Sequence, residues 1–187
     1  MKPDCANGFG MCGNPSGPET LTVELLVWLE QTRIAIQIRE YVWGLPILVA
    51  THMIGLTGSV GTLIWFDLRL LGLGFPRCPV SRLYRLLMPW MLTSFGVMMI
   101  SGGLMFVAYA TLAYENIFFR VKMAALLIAG VNALIYHLVT KRGIAGWDTA
   151  GLPPVAAQTA ALVSLAAWIV IILTGRMMAY TMYGIDS

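Results

Sequence analysis

Four stretches of this chain, about residues 41–66, 86–112, 118–140 and 154–179, are long, apolar and almost free of charge. A run of about 20 apolar residues spans the hydrocarbon core of a bilayer as a helix, because no water is present there to satisfy backbone polar groups otherwise. The sequence therefore folds as an all-α integral membrane protein. The segments between the stretches are short, so successive spans run antiparallel and form a four-helix up-down transmembrane bundle. Composition agrees: 11% of residues are charged, against about 25% in soluble domains. In 187 residues, four spans leave no room for a separate soluble catalytic domain, so any chemistry sits in or on the bundle.

The flanking regions read differently. Residues 1–18, rich in Gly, Pro, Asn and Cys, form a flexible tail. Residues 19–40 mix Leu21, Leu25, Trp28, Leu29, Ile36 and Ile38 with Glu24, Glu30, Arg33, Arg39 and Glu40, the pattern of an amphipathic helix on the membrane surface. The spanning domain then covers residues 41–183. No basic stretch precedes an apolar core and a cleavage site, so the first span acts as signal and anchor. Arg69, Arg77, Arg82 and Arg85 follow that span closely, against Arg33 and Arg39 before it. The positive-inside bias then places both termini in the periplasm of a bacterial inner membrane. A net charge of +3, scattered over span ends, gives no nucleic-acid surface. Small residues at helical spacing, Gly55, Gly58, Ser59 and Thr62, Gly96, Gly102 and Gly103, and Ala129, Gly130 and Ala133, suit close helix packing.

The chain has two histidines, His52 and His137, and both fall inside spans. An ionisable side chain in hydrocarbon needs a partner, so each is a candidate for metal, haem, proton or ligand contact. Both have small neighbours on their helix face, which is the room a flat macrocycle needs. At ~1.5 Å per residue, however, they lie about 12 Å apart in depth, so joint ligation of one haem requires tilted helices. Met99, Met105, Met88 and Met91 offer His–Met alternatives, and Met178 with Met182 a thioether pair for Cu(I). Gap-filling is the ordinary role of such methionines. Arg39, Arg120, Lys122 and Arg176 belong to one side and converge there on haem propionates, a lipid phosphate or an acidic partner, or else anchor helix ends by snorkelling. Asp67 and Arg69 read as a structural pair set against Arg82 or Arg85, with a proton relay as the lesser reading. Asn132 reads as an interhelical hydrogen-bonding group. Cys5 and Cys12 in the tail allow a disulfide in an oxidising compartment, or weak copper capture beside Met11; Cys78 lies in the opposite loop.

Ile38-Arg39-Glu40, Trp43, Pro46, His52-x-x-Gly55, Gly58, Asp67-Leu-Arg-Leu-Leu-Gly72, Pro89-Trp90, Asn116-x-Phe118, Lys122, Asn132, His137, Trp147-Asp148 and Gly175-Arg176 with Ala179-Tyr180 together resemble an uncharacterised bacterial family of four-span membrane proteins. The likeness runs from about residue 25 to residue 180 and implies architecture rather than activity. The His followed by small residues in span one is also distantly similar to copper-resistance D-type proteins and small b-type cytochromes. The leading expectation is a b-type haem protein with His52, alone or together with His137, as axial ligand and the basic cluster near the propionates. It would pass electrons between quinone and a redox partner protein, or anchor a redox complex. The alternatives are copper handling, and a cofactor-free accessory subunit. No hydrolase or transferase motif appears, so any enzyme is an oxidoreductase component. Beyond the lipid bilayer, self-association into a homo-oligomer stays open.

Overall fold

The computed structural model describes residues 18–74, 79–138, 148 and 153–182, with backbone alone for residues 18–20 and 182. The expectations for the tail with Cys5 and Cys12, for Arg77, Cys78, Lys141, Arg142 and Trp147, and for the Met182 thioether lie outside these descriptions. Among the described residues, seven helices follow in order: α1 (Pro18–Glu30), α2 (Arg33–Glu40), α3 (Gly44–Leu70), α4 (Val80–Ala108), α5 (Ala110–Glu115), α6 (Ile117–Leu138) and α7 (Val155–Met182). Four of them, α3, α4, α6 and α7, are long and apolar enough to cross a membrane.

The single amphipathic helix expected over 19–40 is two. Thr32 is extended (φ −64°, ψ 149°); its hydroxyl donates to Leu29 O at 2.7 Å, closing α1, and accepts from Ala35 N at 3.4 Å, capping α2. The pair is then clasped to the bundle. Glu30 Oε1 accepts from Thr111 N at 2.8 Å and Thr111 Oγ1 at 2.6 Å, satisfying the start of α5. Arg39 donates to Ala108 O at 3.1 Å and Glu30 O at 2.6 Å, with Glu30 Oε2 3.8 Å away.

Span two starts earlier than its hydropathy suggests. Its first turns carry Arg82, Tyr84 and Arg85, and Pro89 lies inside the helix. Pro79 at the N-cap offers no side-chain acceptor, and Asp148 supplies one from the α6–α7 connection. Its carboxylate accepts from Ser81 N at 2.7 Å and Ser81 Oγ at 2.6 Å, and its carbonyl from Val80 N at 3.3 Å. Asn116 caps α6 in the usual local way, accepting from Phe118 N at 2.9 Å.

The spans pack up-down. α3 lies closest to α4, where Cβ atoms on Gly55 would come within 2.8 Å of Met98 N and 2.9 Å of Ser94 O. Gly58 likewise faces Ser94, and Gly102 receives the His52 ring. A Cβ on Gly96, Gly103 or Gly130, expected to serve the same purpose, would meet nothing of another element within 4 Å among the described residues. α6 pairs with α7, where Asn132 Nδ2 donates to Ala160 O at 2.8 Å. Phe106 stacks on Phe119, with centroids 5.3 Å apart, between α4 and α6. The middle of the bundle is an apolar layer of Val60, Met98, Ala125, Trp168 and Ile171.

Candidate ligand site between the spans

Polar side chains enter the bundle on both sides of that apolar layer. On the side where α3 begins, His52 is 9% exposed. Its Nδ1 lies 2.9 Å from Met98 O and 3.2 Å from Ser101 Oγ. A carbonyl only accepts, so in the neutral ring the proton sits on Nδ1 and Nε2 keeps its lone pair. Lys122 of α6, packed near Gly175 of α7, is the charged group that bears electrostatically on His52. The ring is held on three sides: by a hydrogen bond, by the Gly102 backbone and by α3 itself.

His137 belongs to the other side. The Tyr84 hydroxyl lies 3.2 Å from its Nε2 and 3.3 Å from its Nδ1, and the rings meet edge to face at 5.5 Å. Each histidine thus contacts α4, one at Tyr84 and the other at Ser101. At ~1.5 Å per residue these contacts stand about 25 Å apart along the helix, so one iron cannot take both imidazoles as ligands. The expected bis-histidine pair is corrected on that ground.

The side chains of the basic cluster each have their own contacts. Arg39 is engaged by Glu30 and Ala108. Arg120 donates to Tyr114 O at 3.2 Å and lies over the Tyr114 ring, whereas Arg176 lies over the Tyr180 ring. Lys122 Nζ lies beside Gly175 of α7. Met99 is 44% exposed on the outer surface of α4, and Met105 and Met178 are partly exposed. Among the described residues, no three His, Cys, Asp or Glu side chains gather as a metal site.

What does gather surrounds His137. A cavity of about 90 Å³ opens among α3, α4, α6 and α7. Apolar side chains such as Leu63, Leu87, Met88 and Met91 line most of it, and Asp67, Tyr84, Tyr136, His137 and Ser164 converge on it. Asp67 is 4% exposed and stands with Ser164 of α7 in the cavity wall. Its Oδ2, and the hydroxyl of Tyr136, are buried without a hydrogen-bond partner among the described residues. Buried polar atoms are ordinarily satisfied, because an unmade hydrogen bond costs about 1–3 kcal/mol. Both residues line the cavity, so its wall carries polar groups whose hydrogen bonds are left unmade.

Asp67 and Arg69 were expected as a structural pair set against Arg82 or Arg85; in the cavity wall Asp67 stands with Ser164 of α7. Tyr84, Tyr136 and Ser164 carried no expectation. The available signal was depth: Asp67 and Tyr136-His137 lie within a turn of the ends of their helices, and Tyr84 a turn into α4, all at one face of the bundle.

The apolar helices and this inter-helix site define a multi-pass membrane protein with a small, largely apolar cavity between its spans. The model of DUF6644, a family of unknown function, matches residues 44–181, and the chain belongs to that family. No curated protein and no solved structure matches the chain.

Proposed function

We propose that the protein binds a small molecule in the cavity between its four spans, with Asp67, Tyr136 and the Tyr84–His137 pair as polar contacts. The observation that carries this reading is the pair of unpartnered buried atoms, Asp67 Oδ2 and Tyr136 Oη, at one largely apolar cavity. A concave apolar pocket with a few convergent polar groups is the usual form of a ligand site, and ionisable groups within a membrane mark sites of function. Arg69, Arg82 and Arg85 lie at the same end of the bundle, and by the positive-inside bias they support a reading in which the cavity is near the cytoplasmic face of a bacterial inner membrane and both termini are periplasmic. Dicyclohexylcarbodiimide, an apolar reagent for carboxyl groups in hydrocarbon, tests the site. Mass spectrometry should find the adduct on Asp67, and filling the cavity by Ala133→Phe should suppress it. An Asp67 left unmodified by the reagent overturns the reading.

A second reading rests on His52. Its Nδ1 hydrogen bond to a backbone carbonyl is the outer contact that commonly fixes a metal-ligating imidazole with Nε2 forward. On this reading the protein carries one b-type haem through His52 alone and serves a membrane redox complex, with quinone or a partner protein exchanging electrons. An oxidised-minus-reduced visible spectrum after expression with ample haem tests it: a Soret band lost in His52→Ala supports it, and a featureless spectrum rejects it.

A further inference from the structure

The helix pair α6–α7 carries three basic side chains toward one end of the bundle, and they behave differently. Arg120 turns back toward that end, donating to Tyr114 O at 3.2 Å and lying over the Tyr114 ring. Arg176 turns the same way, its guanidinium 5.4 Å from the centre of the Tyr180 ring. Both snorkel, as long basic side chains ordinarily do in a membrane. Lys122 does not. Asn116 Nδ2 donates to Thr181 Oγ1 at 2.7 Å, which sets the register of α6 against α7. Lys122 comes six residues after Asn116 and Gly175 six residues before Thr181, so in these antiparallel helices the two stand level. The Lys122 ammonium lies 3.7 Å from where a Gly175 side chain would begin. It thus reaches sideways to α7, about 9 Å inside the Asn116–Thr181 pair.

That position leaves a charge unmatched. Among the described residues Lys122 makes no hydrogen bond or ion pair, and no carboxylate bears on it. His52, on which it bears electrostatically, directs the Nδ1 proton of its neutral ring to Met98 O and offers no negative charge. An ammonium in hydrocarbon is costly without a counter-ion, and such residues inside spans mark ion or ligand sites. Gly175 is a second sign: a helix interior disfavours glycine, and a long side chain there would take the space beside the ammonium. Lys122 is half-buried, and its nitrogen is not sealed as Tyr136 Oη is. One open positive charge calls for one negative charge. A small hydrated anion would lose its water on the way in, whereas an acid with an apolar chain arrives through the lipid, to which the neighbouring Val121 and Met123 are exposed.

We propose that Lys122, with Gly175 leaving it room, binds the acidic head of an acyl lipid between α6 and α7. A fatty-acid carboxylate suits the depth, while a phospholipid phosphate offers the same charge and would have to be drawn inward from the interface. The site lies apart from the cavity around His137, so the two proposals fail separately.

Native mass spectrometry of the full chain, released from a non-ionic detergent, compares oleate with uncharged oleyl alcohol. Oleate should bind roughly tenfold more tightly, the worth of one charge-assisted hydrogen bond. Equal binding of the two, or no oleate binding, overturns the proposal without any variant. Lys122→Met should abolish the preference and Lys122→Arg should keep part of it; a preference that survives Lys122→Met rejects the site. Oleate should also raise the thermal unfolding temperature of the wild type and leave that of Lys122→Met unchanged, and an equal rise in both counts against the site. Phosphatidylglycerol separates the sources: displacement of oleate from the wild type assigns the site to a phospholipid phosphate, and retention of oleate assigns it to a free carboxylate. Carbodiimide labelling of Asp67 should be the same with and without oleate, since a label lost on adding oleate would put the acid in the cavity instead of at Lys122.

Discussion

The two polar layers of this bundle use similar residues to opposite ends. His52 is surrounded: its Nδ1 proton is shared with Met98 O and Ser101 Oγ, and Gly102 gives up a side chain to seat the ring. About 22 Å further along α3, at ~1.5 Å per residue, Asp67 is left with an empty lone pair beside a cavity. The first layer joins α3 to α4 and leaves no polar atom of the histidine's Nδ1 side unmet. The second joins four helices loosely around a space. An ionisable residue inside a membrane is thus a weak indicator of function by itself; whether its hydrogen bonds are completed within the protein tells more.

Several substitutions press on that contrast. The largest effect belongs to the tight layer: Gly55→Leu would drive a side chain into Met98 N and Ser94 O and should cost about 3 kcal/mol or prevent folding, as read from thermal unfolding in detergent. His52→Ala should lose about 2 kcal/mol, from the hydrogen bond and the void left against Gly102. A stability unchanged by this substitution would erase the distinction between the layers.

Asp148→Ala removes the cap of α4 and should cost about 1 kcal/mol. Hydrogen bonds from the Ser81 side chain and then its backbone hold this carboxyl below its ordinary value of 3.8, helped by Arg69 and Arg85. With the folded pKa depressed, its contribution is complete above the unfolded value and disappears as pH falls through the lower folded one. The stability gap between wild type and Asp148→Ala should therefore be constant at neutral pH and close below pH 3.8. In the open layer, Asp67→Asn should hold or raise stability, by about 1 kcal/mol or less, because it relieves a buried acid lacking a partner. A loss matching that of His52→Ala would mean Asp67 is structural after all. Gly103→Leu, which enters open space, should change stability by no more than about 0.5 kcal/mol and controls for Gly55→Leu.

The spans themselves were legible because hydropathy is a local property, summed along the chain. Their ends were less so. Arg82, Tyr84 and Arg85 interrupt the apolar pattern, yet α4 already runs from Val80, since its N-terminus is capped from the distant Asp148 rather than by a neighbour. The break at Thr32 was also hidden, for a threonine in an amphipathic run reads equally well as a helix residue or as a cap. Small residues showed that close packing exists, but Gly55 and Gly103 look alike until partner helices are placed.

By itself the sequence determined a membrane protein of four antiparallel helices, because a bilayer admits so few solutions for long apolar segments. It also marked His52, His137 and Asp67 as residues that need explaining. Only the tertiary structure decided that the histidines are far apart, that the basic side chains are separately engaged, and that Asp67, Tyr84, Tyr136 and His137 share one cavity. The physical reason is that hydrogen-bond completion depends on which helix faces meet and at what depth. Neither is encoded in the spacing along a single helix.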